Sequence, residues 1–292
     1  MQACLRYVFE ICDYEYPINK KYYESRVSVM ALLHVDFFSN VLGMCMQMDV
    51  ILPQRTHGQI GAEGKGGDGK YPTLYLLHGM SDNHTIWQRR TSIERYVEDM
   101  GIAVVMPTTH LGWYTDMYHG LKYWTFISEE LPEICHEFFP RMSDKREDNF
   151  VAGLSMGGYG AIKMALRASD RFCAGASLSG AMDVRNLEEH GLVPKEFWEN
   201  IFGPLNKVAG SDNDLFSLAE QLKASGKPLP KLYMWCGTED FLYEANKNMR
   251  KHLTDLEYDL TYKEASGDHQ WKYWDEMIQD VLKWLPIKRY DN

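Results

Sequence analysis

The chain has 292 residues, 45% of them hydrophobic, enough to bury a sizeable core as one large domain or two small ones. Its net charge is −10, from 31 basic and 41 acidic residues with no basic run, which sets nucleic-acid binding aside. No window approaches the roughly 18 consecutive apolar residues that cross a bilayer, and Arg6, Glu10 and Asp13 interrupt any secretory signal, so no membrane partner and a cytoplasmic location are expected.

Residues 1–29 are rich in Tyr and charge and have no clear period. They read as a loosely attached extension or an upstream start, with the folded domain running over 30–292. The alternative is an arm that packs on a second subunit, so a homo-oligomer is compatible with the chain. Two period-two stretches, "LHVDFFSNVLG" and "CMQMDVILP", predict an antiparallel hairpin at a sheet edge. The Gly-rich stretch 55–70 predicts a long mobile loop. Inside it, "GKGGDGKY" fits GxxxxGK, but Tyr71 stands where a phosphate loop needs Ser or Thr. That segment also precedes a strand instead of following one, so no nucleotide site is expected.

From residue 73 on, strands and helices alternate. "TLYLLHG" (73–79), "IAVVMP" (102–107), "NFVAGL" (149–154), "CAGASLSG" (173–180), "KLYMWCG" (231–237) and "DLTYKEA" (259–265) read as strands. Helical spacing covers 85–100, 121–139 (with Pro132 as a kink or restart), 156–168, 242–256 and 271–285. Strands apolar on both faces and alternating with helices predict an α/β fold: a mostly parallel sheet of about eight strands with helices on both faces. Residues 183–230 lack a strand signal and predict a small cap above the carboxyl edge of the sheet. Six scattered cysteines without CxxC spacing predict reduced thiols, buried at Cys45, Cys173 and Cys236, and no metal site.

"GLSMG" (153–157) places Ser155 between a strand and a helix, the context that gives G-x-S-x-G its meaning. A sharp turn there would push the hydroxyl into a cleft, and a Cβ at Gly153 or Gly157 would strike neighbouring backbone. The helix N-terminus beneath supplies free N–H groups and a positive dipole. A serine needs a base, and the base an orienting acid, in the chain order Ser, Asp or Glu, His. Asp240 follows a strand's carboxyl end and is the expected acid, with Asp183 in reserve. Glu239 would point elsewhere, and Asp268 and Asp275 lie too near the expected base. Of ten histidines, only His190, His252 and His269 follow Ser155. His269 falls on a loop between the last strand and the last helix, and is the expected base. His252 reads as a solvated helix residue, and His190 precedes Asp240. Two oxyanion donors are expected, the N–H groups of Met80 and Met156, with His78 and Gly79 shaping the first loop. Trp113, Trp124 and Tyr159 are candidates for stacking on an acyl group or sugar, although core packing also explains aromatics. Met80, Met156 and Met182 suggest a soft acyl pocket.

"LLHGMSDNHTIW", "GLSMGGYGAIKMAL", "SLSGAMD", "CGTEDFLYEAN" and "GDHQWKYWDE" together resemble the esterase D-like branch of the α/β-hydrolases, and within it most of all the tributyrin esterase group, with feruloyl and acetyl esterases nearby. The resemblance spans about residues 30–288. It implies an α/β-hydrolase fold and a cofactor-free serine carboxylesterase acting on short-chain, small-molecule esters. It puts Ser155, Asp240 and His269 on the family's triad positions, and Met80 and Met156 on its oxyanion positions. The extension before Met30 and the length of the 55–70 loop depart from the pattern. S-formylglutathione hydrolases share the core, but usually carry a Thr-Cys pair after the loop glycine, absent from "HGMSDNHTIW". A non-catalytic binding protein is compatible with the fold alone. A lipase would want a large apolar lid, which the polar 183–230 segment does not offer.

Overall fold

The computed structural model describes residues 27–56, 69–187 and 191–287. The period-two stretches form the predicted hairpin, β1 (Val27–Ser39) and β2 (Met44–Thr56). Their register closes at Ser39 opposite Met44. Gly43 takes φ 68° there and donates its N–H to Ser39 O at 2.9 Å. The strand begins at Val27, three residues before the expected boundary at Met30. Residues 1–26, most of the Gly-rich loop and His190 lie outside the described residues.

Six further strands follow: β3 (Thr73–Leu77), β4 (Ala103–Pro107), β5 (Asn149–Leu154), β6 (Ala174–Leu178), β7 (Lys231–Gly237) and β8 (Leu260–Ala265). The sheet order is β1-β2-β4-β3-β5-β6-β7-β8. β2 pairs antiparallel with β4, while β3 to β8 run parallel. Burial on both faces explains the unbroken apolar runs. Along β3, Leu74 and Leu76 enter one core layer, Tyr75 and Leu77 the other. One layer is closed by α1 (Ile86–Arg90) and the C-terminal helix, through Trp87, Trp274 and Ile278. The opposite layer holds the helices α2 (Leu131–Phe138) and α3 (Met156–Arg167).

The 85–100 helix divides after Arg90. Thr91 is extended, its hydroxyl donates to Trp87 O, and it accepts from Ile93 N, so local side-chain bonds replace a helical turn. The α-helix restarts at Leu131 with Pro132 in its first turn, as the restart reading expects. A wide π-type turn at Phe126–Glu130 precedes it, and Arg171 donates to Ser128 O, the carbonyl that a proline at 132 leaves without its helical donor. Among its described residues, the 183–230 insertion contains two α-helices, α4 (Lys195–Phe202) and α5 (Leu215–Ser225), with a 3-10 turn at Leu205–Lys207 between them. α5 packs alongside α3 as a layer helix. Helices α6 (Tyr243–Asp255) and α7 (Trp271–Trp284) complete the chain order. Cys135, Cys173 and Cys236 are buried, whereas Cys45 is exposed on the hairpin opposite Phe38. No helix among the described residues is long and apolar enough to cross a membrane.

Candidate active site

The carboxyl ends of the parallel strands bring the predicted groups to one edge, where open α/β sheets place their ligands. Ser155 follows β5 directly with φ 52° and ψ −118°, outside the ordinary regions for an L residue. Close contact on both sides enforces the flanking glycines. A Cβ on Gly153 would lie 2.3 Å from Gly157 O, and one on Gly157 would lie 2.5 Å from Leu77 O. The serine hydroxyl is thereby turned out of the sheet at the head of α3.

His269 stands on the loop between β8 and α7. Its Nε2 lies 3.0 Å from Ser155 Oγ, and its Nδ1 lies 2.8 Å from Asp240 Oδ2. With the carboxylate facing Nδ1, that nitrogen carries the proton, leaving Nε2 to accept from the serine. The Asp240 side chain is fully buried, and its other oxygen accepts Leu242 N–H at 2.9 Å. The carboxylate therefore aligns the imidazole and also ties down the turn that leads into α6. Phe241 and Trp274 flank the imidazole with ring centroids at 4.7 and 4.8 Å. Trp274 is held in turn by its indole N–H on Ser179 Oγ.

Neighbouring residues clamp the His269 loop to β7. Glu239 N–H donates to Gly267 O at 3.0 Å, while the Glu239 carboxylate accepts Gly267 N–H and holds its own pKa low by that bond. Gly237 lets the loop approach, since a Cβ there would sit 2.0 Å from Gly267 O. Asp183, the reserve acid, is engaged elsewhere. It takes a two-oxygen contact from Arg185 at 2.7 and 2.8 Å and another bond from Asn186. His252 is half-buried and bonded to Phe216 O, not a freely solvated residue.

The loop after β3 closes the other side. A Cβ on Gly79 would lie 3.7 Å from Ser155 Cβ and 2.6 Å from Leu154 Cδ1, so the backbone at 79 abuts the serine. Met80 follows, and Met156 opens α3. Neither backbone N–H has a backbone acceptor among the described residues, as two donors awaiting an oxyanion require. His78 is structural: Nδ1 meets Gly79 O at 2.7 Å, and Nε2 accepts Thr109 N–H at 2.9 Å. Burial depresses its pKa to about 4, so the ring is neutral. Asp82, half-buried two residues beyond Met80, has its pKa raised to about 6 by desolvation.

The aromatic candidates are placed differently from the expected stacking role. Trp113, Trp124 and Tyr159 are 3%, 7% and 0% exposed and belong to the core. Trp113 packs on Tyr159, Trp198 and Phe202, and the Tyr159 hydroxyl donates to Asn213 O. α4 closes over Trp113 and Tyr159 through Trp198 and Phe202, while the Trp124 ring is covered by Lys163 and Arg167. Met156 and Met182 are likewise fully buried, while Met80 is half-exposed. Lys163 was not singled out by sequence. The signal was available: "GGYGAIKMAL" is small or apolar on every face, so its one lysine has to be buried.

A family model described as a putative esterase matches residues 39–285. An acetyl esterase of Caldicellulosiruptor saccharolyticus is 30% identical over 271 residues, 88% of this chain and 98% of that protein. FphF, a fluorophosphonate-binding serine hydrolase of Staphylococcus aureus, is 36% identical, with a TM-score of 0.79 over 88% of this chain and 98% of its own. The S-formylglutathione hydrolase FrmB of Staphylococcus aureus is also 36% identical, with a TM-score of 0.77 over the same shares. Sequence match and fold agree: the chain belongs to the putative esterase family, among the esterase D-like α/β-hydrolases.

Proposed function

We propose that this protein is a serine carboxylesterase that hydrolyses short-chain acyl esters, acetyl and butyryl first, through an acyl-enzyme. The observation that carries the reading is the unbroken line from Ser155 Oγ to His269 Nε2 and from His269 Nδ1 to Asp240 Oδ2, at 3.0 and 2.8 Å. As Ser155 Oγ bonds to the ester carbonyl carbon, its proton passes to Nε2, and the carbonyl oxygen becomes an oxyanion between the Met80 and Met156 N–H groups. Collapse of the intermediate breaks the ester C–O bond, and His269 gives its proton to the leaving alcohol. Water then repeats the sequence on the acyl-enzyme and frees Ser155. Asp240 fixes the tautomer and stabilises the imidazolium without itself taking the proton.

Labelling with a fluorophosphonate probe followed by peptide mapping tests the assignment. A single adduct on Ser155 is expected. A folded protein that takes no label, or takes it elsewhere, contradicts the reading and returns the fold to a binding role. Acetate, butyrate and ferulate esters compared at equal concentration then place the acyl preference. A second reading, hydrolysis of S-formylglutathione, is favoured by the 36% identity to FrmB. The same groups would attack a thioester carbonyl. No Thr-Cys pair follows Gly79, so the ester is the preferred substrate in our reading. A kcat/KM for S-formylglutathione above that for every ester tested would reverse the order.

A further inference from the structure

Lys163 is fully buried in the middle of α3. Its Nζ donates to Tyr114 O at 3.0 Å, to Thr115 Oγ1 at 2.7 Å and to Asn213 Oδ1 at 2.7 Å. It also stands 5.1 Å over the Trp124 ring and 5.5 Å over the Tyr159 ring. Among the described residues no carboxylate pairs with it. Burial pushes its pKa well down, yet all three neighbours accept a hydrogen bond, the pattern an ammonium needs. An apolar side chain would fill this place without the desolvation cost of a buried amine, which points to a role for the donors themselves.

The segment that Lys163 grips is strained. His110, Trp113 and Tyr114 have φ of 48°, 50° and 51°. The segment is also pressed against α3, where a Cβ on Gly160 would lie 2.4 Å from the Tyr114 ring. From there it holds His78 at two points. Thr109 N–H donates to the His78 ring at 2.9 Å, and the Tyr114 hydroxyl donates to His78 O at 2.8 Å. His78 is followed at once by Gly79 and Met80. Asn213, the third partner of Lys163, comes from the 183–230 insertion.

We propose that Lys163 is a positioning residue for the oxyanion loop: it pins the strained 110–115 segment, and Tyr114 carries that constraint to the backbone just before Met80. The insertion is tied to the same point through Asn213. The proposal rests on the serine-esterase reading, because it assigns Met80 N–H to the oxyanion.

The test uses Lys163→Met, Tyr114→Phe and the double variant in the full chain, with kcat and KM for p-nitrophenyl butyrate and a melting curve for each. Loss of loop alignment should lower kcat about 10- to 100-fold in Lys163→Met and about 3- to 10-fold in Tyr114→Phe, with KM within about twofold. The double variant should lose no more than Lys163→Met alone, since both act through one contact. Folded variants with the parent kcat, a loss confined to KM, or losses that multiply in the double variant would each overturn the proposal. If Lys163→Met does not fold, Tyr114→Phe decides alone, because it removes one hydroxyl and leaves the lysine in place. Affinity for an alkyl boronic acid, which forms the tetrahedral adduct, should fall with kcat in Tyr114→Phe. Ser155→Ala in parallel separates the two ideas. Turnover surviving in Ser155→Ala defeats the esterase reading, whereas dead Ser155→Ala beside fully active Tyr114→Phe defeats only the role given to Lys163.

Discussion

Gly237→Ala should disable the site without touching any of its reacting atoms. The added Cβ would lie 2.0 Å from Gly267 O and 2.5 Å from its carbonyl carbon. Real Cβ contacts are not found under 3.0 Å, so the backbone at 267 has to retreat by about 1 Å. That backbone has little freedom to do so quietly, because Glu239 N–H and the Glu239 carboxylate both hold Gly267. His269 lies two residues on, and its 3.0 Å contact with Ser155 Oγ would stretch past hydrogen-bonding range. Misplacement by about 1 Å costs on the order of 10²-fold in rate. The overpacking itself should cost about 1–3 kcal/mol, which a domain of this size can absorb. The assay is kcat/KM on p-nitrophenyl acetate alongside a urea unfolding curve. A folded Gly237→Ala protein with the parent kcat/KM would refute the reasoning, because it would show that the loop reaches Ser155 without this close approach.

Asp240→Asn should keep the fold and lower kcat by about 10⁴, because an amide can present the wrong partner to His269 Nδ1; kcat within tenfold of the parent contradicts the acid's assignment. Trp113→Ala should destabilise by about 3–5 kcal/mol, as a large core side chain does, while leaving the ratio of acetyl to feruloyl turnover unchanged. Unfolding midpoints and the two rates decide it, and an altered ratio at unchanged stability would restore the stacking role. Stability should also depend on His78 and Asp82 with opposite signs. His78 titrates at about 4 when folded against an ordinary 6.5, so the unfolded chain binds the extra proton between those values, and up to about 3 kcal/mol is lost as pH falls through them. Asp82 titrates at about 6 when folded against 3.8, so the folded chain binds the proton first and acidification over that window adds stability. Asp82→Asn should therefore show a larger fall in Tm between pH 6.5 and 4.5 than the parent, and an equal fall would contradict the assignment.

The strands were legible because both faces of the sheet are covered. "TLYLL" and "NFVAGL" carry no polar face to confuse the period. The serine turn was legible because its glycines are required by backbone contacts with Leu77, His78 and Gly157 itself, constraints that leave a local mark in the chain. The order of acid and base could be read from where each follows a strand. What could not be read was contact between distant segments. Nothing local in "TIWQRRTSIERY" announces that Thr91 will cap its own turn, and nothing in "HLGWYTD" says that α4 will cover Trp113. Pro132 marks the restart of α2, but the donor that serves Ser128 O in its place, Arg171, lies in another part of the chain. Lys163 had a local signal, but its meaning depends on Tyr114, Thr115 and Asn213, which only folding brings to it.

Turnover of p-nitrophenyl acetate by folded Ser155→Ala bears most directly on whether one hydroxyl, delivered by β5 and activated by His269, breaks the ester bond. A fall in kcat of several orders of magnitude, up to about 10⁶, at unchanged Tm is predicted. Hydrolysis at the parent rate by that variant would mean that the chemistry, if any, is carried out by some other group.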